Sequence, residues 1–245
     1  MPLIDDLLNA LPAAADQPVE AVEVGLYWTA VRAGGRLGLA STLVDAACCF
    51  AEDVAGAGRL HQRPARELAG LLRADHPVAA SLGLAALNAL LPVDETQGVE
   101  VNARDLLLER GRGRNVAMIG HFNFTEQLRA AARQLWVLEL HPTPGDLPAS
   151  DAPELLPEAD VIGLTGATLA NHTFEGLARL FPPHALVVML GPSTPLSPVL
   201  FDYGVDVLAG ARVLDGDFVW HAVAQGSALH GKTTGLKRFT LTNGR

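Results

Sequence analysis

Lysine is almost missing from this chain: Lys232 and Lys237 are its only two, and arginine carries nearly all the positive charge. The formal net charge is -9, and no run of basic residues interrupts it. Nucleic-acid binders carry a basic face, so that class of partner is excluded. Cysteine is as scarce. Cys48 and Cys49 are neighbours, which rarely bond to each other, and no CxxC spacing suggests a zinc site. The start, Met1 to Asp6, has neither the basic nor the apolar stretch of a signal peptide. No apolar run reaches the ~20 residues a bilayer span needs. The longest, Val78 to Leu91, contains Asn88 and several alanines and reads as a buried helix. These absences point to a soluble cytoplasmic protein with no nucleic-acid or membrane partner.

What is present is core material. Of the 245 residues, 49% are hydrophobic and 18% charged, a globular balance with length for one large domain or two modest ones. Ile4, Leu7, Leu8 and Leu11 follow helical spacing, and Pro12 stops them. Val22, Val24, Leu26 and Trp28 alternate with polar or small residues and predict one strand. Gly34-Gly35 predicts a turn into a returning strand over Arg36 to Thr42. Pro64 to Arg73 and Pro77 to Leu91 predict two helices, each with proline in its first turn. Residues 1–98 therefore read as a small α+β domain, and the polar stretch 99–114 as a linker holding a short helix near Ala103 to Glu109.

From residue 115 to 245 the rhythm becomes strand–helix alternation. Strands are predicted at Val116 to Gly120, Leu135 to Leu140, Asp160 to Thr165, Ala185 to Leu190 and Val205 to Ala209. Apolar strands separated by helices make a mostly parallel sheet, so this part reads as a Rossmann-like α/β domain. No internal repeat or low-complexity tract is visible.

Ligands bind such sheets beyond the carboxyl ends of the strands. Each predicted strand ends in glycine or polar residues. Gly120-His121-Phe122-Asn123 lacks the three glycines of a dinucleotide fingerprint. Its Asn123, with Glu126 three residues on, matches a capping box. Glu139 lies 19 residues beyond Gly120, where nucleotide-binding Rossmann folds place an acid on a ribose diol. The loops with most hydrogen-bonding groups are Thr165-Gly166-Ala167-Thr168-Leu169-Ala170-Asn171-His172-Thr173, where Thr173 is also a plausible cap, and Gly191-Pro192-Ser193-Thr194. Ser197-Pro198 opens a short helix that Gly204 ends. For a metal, His121, His172 and Glu139 are the first ligands to test, though their spacing matches no ligand motif. No catalytic set is evident; Ser193 has no nucleophile elbow.

The Thr165 to Thr173 and Gly191 to Leu196 segments, with Tyr203-Gly204-Val205-Asp206, resemble the putative heavy-metal-chelation domain, a Rossmann-like unit with no established reaction. Gly38-Leu39-Ala40-Ser41-Thr42 and Ser81 to Ala89 resemble its usual partner, which has an enolase-N-terminal-like fold. The resemblance spans nearly the whole chain. It implies a site between the two domains, toward which Ser41, Thr42 and Asn88 would face unless Asn88 is a buried group with an internal partner.

Three functional readings follow. The first is a small anionic or metal-chelating ligand held between the domains, with a transition-metal ion or metal complex as cofactor. The second is an enzyme using a nucleotide-type cofactor such as S-adenosylmethionine or NAD, with Glu139 on the ribose. The third is a non-catalytic adaptor. The apolar α+β half suits a homodimer.

Overall fold

The computed structural model describes residues 1–13, 17–44, 52–99, 101–229 and 235–244. Cys48, Cys49 and the tail segment His230 to Thr234 lie outside the described residues. The first helix, α1 (Pro2–Asn9), buries Leu3, Ile4, Leu7 and Leu8, the face that the spacing predicts.

Three antiparallel strands follow: β1 (Val19–Val24), β2 (Trp28–Ala33) and β3 (Arg36–Ser41). The single strand expected through Val22 to Trp28 is in fact two. Gly25 donates its N–H to the Trp28 carbonyl at 3.0 Å, closing a turn. The chain turns there because a later helix crosses close by; a Cβ on Gly25 would stand 2.5 Å from the Val223 carbonyl oxygen.

The expected helix over Pro64 to Arg73 is α2 (Ala65–Ala69), tightening into a 3-10 turn at Gly70–Arg73. Next comes α3 (Pro77–Leu90), buried along nearly its whole length. It is apolar all round because it is wrapped: β2 and β3 lie on one side, α2 and the 3-10 turn on the other. Glycines allow the close approach. A Cβ on Gly38 would stand 2.1 Å from the Ala85 carbonyl oxygen, and one on Gly83 2.0 Å from the Leu72 nitrogen. Among the described residues no helix is long and apolar enough to cross a membrane.

Within the stretch 99–114, α4 (Ala103–Arg110) starts at Asn102, whose side chain accepts the Arg104 N–H at 3.1 Å. Its Leu107 is fully buried under the large sheet. That sheet has seven strands: β4 (Asn115–Ile119), β5 (Gln134–Glu139), β6 (Leu147–Pro148), β7 (Val161–Thr165), β8 (Leu186–Leu190), β9 (Val207–Val213) and β10 (Leu236–Thr242). Their order is β10-β9-β8-β7-β4-β5-β6, all parallel except β10. The helices between them are α5 (Thr125–Ala131), α6 (Ala152–Leu155), α7 (Ala167–Ala170), α8 (Phe174–Ala178) and α9 (Gly216–Ala224). The Rossmann-like mostly parallel sheet and its small α+β companion are as expected. The hairpin-like return of β10 is not: α9 carries the chain back so that Leu236–Thr242 pairs with β9 over its full length.

The two halves share one core. The cluster that holds Leu7, Val31, Leu84 and Leu87 continues into Ile162, Leu164, Phe174 and Leu200. Because Gly83 faces backbone, not a movable side chain, Gly83→Ala should lose about 1–3 kcal/mol in urea unfolding. A substitution on the open Gly113, where nothing lies within 4 Å, provides a control for α3 packing; its φ of +69° favours glycine, so its loss should be smaller.

Candidate functional site

The strand order reverses at β4. From it the chain runs to β5 and β6 on one side, and to β7, β8 and β9 on the other. A parallel sheet leaves a crevice at such a point, beyond the carboxyl ends of the diverging strands. Here the crevice holds a cavity of about 430 Å³ at the ends of β4, β5 and β7. Gly120, Glu139, Thr165, Thr168, Asn171, His172 and Thr173 line it. The remaining wall is mostly apolar, including Ile119, Leu138, Leu140, Ala149, Ala152, Pro153, Leu177 and Leu180. The wall at 149–153 comes from the loop and helix after β6, for which the sequence gives no polar signal. Leu177 was visible only as one apolar position of α8.

Gly120 turns β4 out of the sheet at φ +101°. A Cβ there would lie 3.2 Å from Thr165 Cγ2, so β4 and β7 close on each other at the crevice floor. His121 and Asn123 are exposed and do not line the cavity. The capping box expected of Asn123 and Glu126 is not formed. Phe124 holds the cap position without a side-chain bond, and the Phe122 N–H donates instead to Thr125 Oγ1 at 3.1 Å.

The polar groups of the Thr165 to Thr173 loop are largely spent on the loop itself. Thr168 Oγ1 donates to the Thr165 carbonyl at 2.8 Å, and the Ala167 N–H to Thr165 Oγ1 at 3.2 Å. Asn171 Oδ1 accepts both the N–H and the hydroxyl of Thr173, at 3.2 and 2.7 Å. Short polar side chains readily bond nearby backbone in this way. Thr173 therefore does not cap α8 through its side chain. His172 adopts the left-handed region, φ +59°, which is uncommon outside glycine. Its Nε2 pairs with the Leu72 carbonyl at 2.7 Å, so the ring donates across to the first half and keeps Nδ1 as its acceptor when neutral.

The Gly191 to Thr194 loop goes elsewhere. Ser193 Oγ accepts the Ser41 N–H at 2.8 Å and shares a hydrogen bond with Ser41 Oγ at 3.0 Å. Asn88 Nδ2 donates to the Leu39 and Ser193 carbonyls at 2.8 and 3.2 Å. Asn88 is thus half-buried with internal partners for its Nδ2 and, among the described residues, none for its Oδ1, and Thr42 Oγ1 donates to the Gly25 carbonyl at 2.9 Å. Gly166 backs onto the same loop, where a Cβ would lie 2.6 Å from the Ser193 carbonyl carbon. Ser193 and Thr194 are buried, and Gly191 and Pro192 are half-buried. The seam between the halves is therefore closed by hydrogen bonds, and the cavity lies beside it in the second half. Ser197 likewise makes no side-chain cap, while Gly204, at φ +86°, does end its 3-10 turn.

Among the described residues Glu139 is the one carboxylate on the cavity. Burial pushes its carboxyl up from the ordinary value; the His121 backbone N–H pulls it down, and the charge of Asp146 adds to the rise. Asp146 is held low, first by the Thr143 hydroxyl, which donates to its Oδ2 at 2.6 Å. Its Oδ1 lies 3.3 Å from His121 Nδ1. Among the described residues no arginine or lysine lines the cavity. Among the described residues no three His, Cys, Asp or Glu side chains gather where they could hold one metal ion. His121, His172 and Glu139 accordingly do not form one ligand set, because His172 is turned onto Leu72 and His121 onto Asp146.

A second cavity of about 460 Å³ lies at the opposite, amino ends of β8 and β9. Its Asp206 is already used, accepting the Val187 N–H at 2.9 Å and the Asn243 amide at 2.8 Å. Tyr203 donates to Asp6 Oδ2 at 2.5 Å, which pushes its phenol up to about 12. These groups dock α1 onto the second half.

Residues 102–241 match the family described as "Putative heavy-metal chelation", and residues 4–91 match a second family with the same description. An uncharacterized protein of Methanocaldococcus jannaschii is 30% identical over 149 residues, 57% of each chain. The chain thus matches little more than half the length of that curated relative. A solved structure of unknown function from Desulfitobacterium hafniense has a TM-score of 0.83 and 28% identity, covering 99% of this chain and 97% of its own. Another, from Pyrococcus horikoshii, has a TM-score of 0.78 at 19% identity and 98% coverage of both, and shows the shared fold.

Two outcomes test this division between seam and cavity. Ser193→Ala leaves the Ser41 N–H without its acceptor, so it should cost about 1–3 kcal/mol in chemical unfolding. Glu139→Gln should act oppositely. The fold favours the protonated carboxyl, so this group's contribution is full below its ordinary value of 4.5 and is lost as pH rises through the raised value. The Gln variant should melt about 1–2 °C higher at neutral pH, with the difference shrinking as pH falls toward 4.5.

Proposed function

The chain belongs to the family described as "Putative heavy-metal chelation", and on that premise we propose that it binds a small organic molecule in the switch-point cavity. Metal is then handled as a complex of such a molecule, not as a bare ion on protein side chains. The observation that carries this reading is the pairing of an apolar wall with one half-buried carboxylate at the carboxyl ends of β4, β5 and β7.

The cavity volume falls in the range of small-molecule sites, which are apolar with a few placed polar groups. A bare transition-metal ion needs several nitrogen, sulfur or oxygen donors converging at about 2.0–2.3 Å. The described residues offer no such group, so the donor set does not fit a protein-borne ion. An anionic ligand fits poorly as well, since Glu139 faces it and no lysine or arginine among the described residues lines the wall. A metal complex with a flat apolar chelator meets both conditions: its rings cover Leu138, Leu140 and Leu177, and any net positive charge meets Glu139.

Titration calorimetry with zinc chloride, 1,10-phenanthroline and the zinc–phenanthroline complex tests the proposal. Phenanthroline and its complex should bind, and Leu177→Trp, which fills the cavity, should abolish both. Stoichiometric binding of zinc alone, unaffected by Leu177→Trp, would falsify it.

A further inference from the structure

We propose that the organic ligand of the switch-point cavity is a nucleoside-type molecule that carries no phosphate, its base against the apolar wall and its ribose diol donating to Glu139. This inference rests on the cavity being the ligand site. It goes further in naming what the site accepts and what it refuses.

Three observations converge on it. The first is position. Glu139 ends β5 beside Gly120, which ends the adjacent parallel strand β4 in a tight turn at φ +101°. A carboxylate there stands over the mouth of the crevice, where its two oxygens can take two neighbouring hydroxyl donors. The second is unmet demand. Burial raises the Glu139 carboxyl, and the backbone N–H groups of His121 and Leu140, with the charge of the His121 ring, offset it only in part. A diol adds charge-assisted hydrogen bonds to those the backbone supplies. The third is the wall. Leu138, Leu140, Pro153, Leu177 and Leu180 offer a flat aromatic base an apolar surface in a cavity of about 430 Å³.

The exclusion of phosphate follows from the loop after β4. Dinucleotide sites cradle a pyrophosphate on a glycine-rich turn at a helix N-terminus. Here the turn has one glycine, and α5 is only seven residues long. The Phe122 N–H, which would point at an anion, donates to Thr125 Oγ1 at 3.1 Å. Around that loop stand two carboxylates, Glu139 and Asp146, and the His121 ring already lies 3.3 Å from Asp146. A phosphate placed there meets two negative charges, and among the described residues no lysine or arginine lines the cavity wall. The site therefore separates nucleoside cofactors from nucleotide ones by electrostatics.

Calorimetry of the full chain with adenosine, 2′-deoxyadenosine, AMP and NAD decides the matter, with 1,10-phenanthroline as the occupancy control. Adenosine should bind, with AMP and 2′-deoxyadenosine each weaker by about tenfold or more and NAD not detectably bound. Glu139→Gln should reduce adenosine binding by about tenfold or more and narrow the gap between adenosine and AMP. AMP binding as tightly as adenosine, or 2′-deoxyadenosine equalling adenosine, overturns the proposal. So does a protein that binds phenanthroline but none of the four nucleosides and nucleotides, and in that case the cavity reading survives alone. If phenanthroline also fails to bind, the cavity reading falls with it.

Discussion

Helix α3 is an apolar cylinder that nothing but the rest of the protein can cover. With Leu82, Leu84 and Leu87 fully buried, it must be enclosed on every side, and β2, β3, α2 and the following 3-10 turn supply most of that cover. The remaining side meets α7 of the second half. Burying each such leucine is worth about 1.5–3 kcal/mol. Two polar side chains stand on this helix: Ser81, which donates to the Pro77 carbonyl and accepts the Leu43 N–H, and Asn88, whose amide donates to the Leu39 and Ser193 carbonyls. Asn88 thus fixes the register of the meander, the helix and the Gly191 to Thr194 loop together.

Hydrogen bonds of Ser41, Ser193, Asn88 and His172 tie the two halves along their seam. The switch-point cavity lies beside it, where β5 and β7 leave β4 in opposite directions. The hydroxyl-rich loop beside it builds the wall by bonding to itself. Glu139 and apolar side chains complete the lining of the cavity. Burial raises the Glu139 carboxyl, so its ionised form costs stability at neutral pH.

Much of the architecture was legible along the chain. The spacing of Ile4, Leu7, Leu8 and Leu11, the glycine pair before β3 and the apolar runs of β4, β5, β7 and β8 each reported a local period that burial then selected. The misses are places where a distant element set the local shape. The turn at Gly25 exists because Val223 lies against it. Strand β10 exists because β9 offers a free edge, and its own residues, with Lys237 and Arg238 between apolar neighbours, carry a weak pattern. At the site, Gly120, Glu139 and the Thr165 to Thr173 loop could be found from their positions at strand ends. The apolar wall at 149–153 could not, because alanine and proline after a two-residue strand look the same whether they face a cavity or solvent.

The sequence by itself determined the alternation of strand and helix, the scarcity of lysine, and the carboxylate at the end of β5. Those features depend on residues close together in the chain, so local period and composition report them. Only the tertiary structure decided which polar loop would be a seam and which a cavity rim. The Thr165 and Gly191 loops have the same kind of composition, and what separates them is where their hydroxyls are spent: Thr165, Thr168 and Thr173 within their own loop, and Ser193 on Ser41, 152 residues away in the chain. A hydroxyl or amide accepts whichever partner the fold brings to it, so its role is assigned by packing.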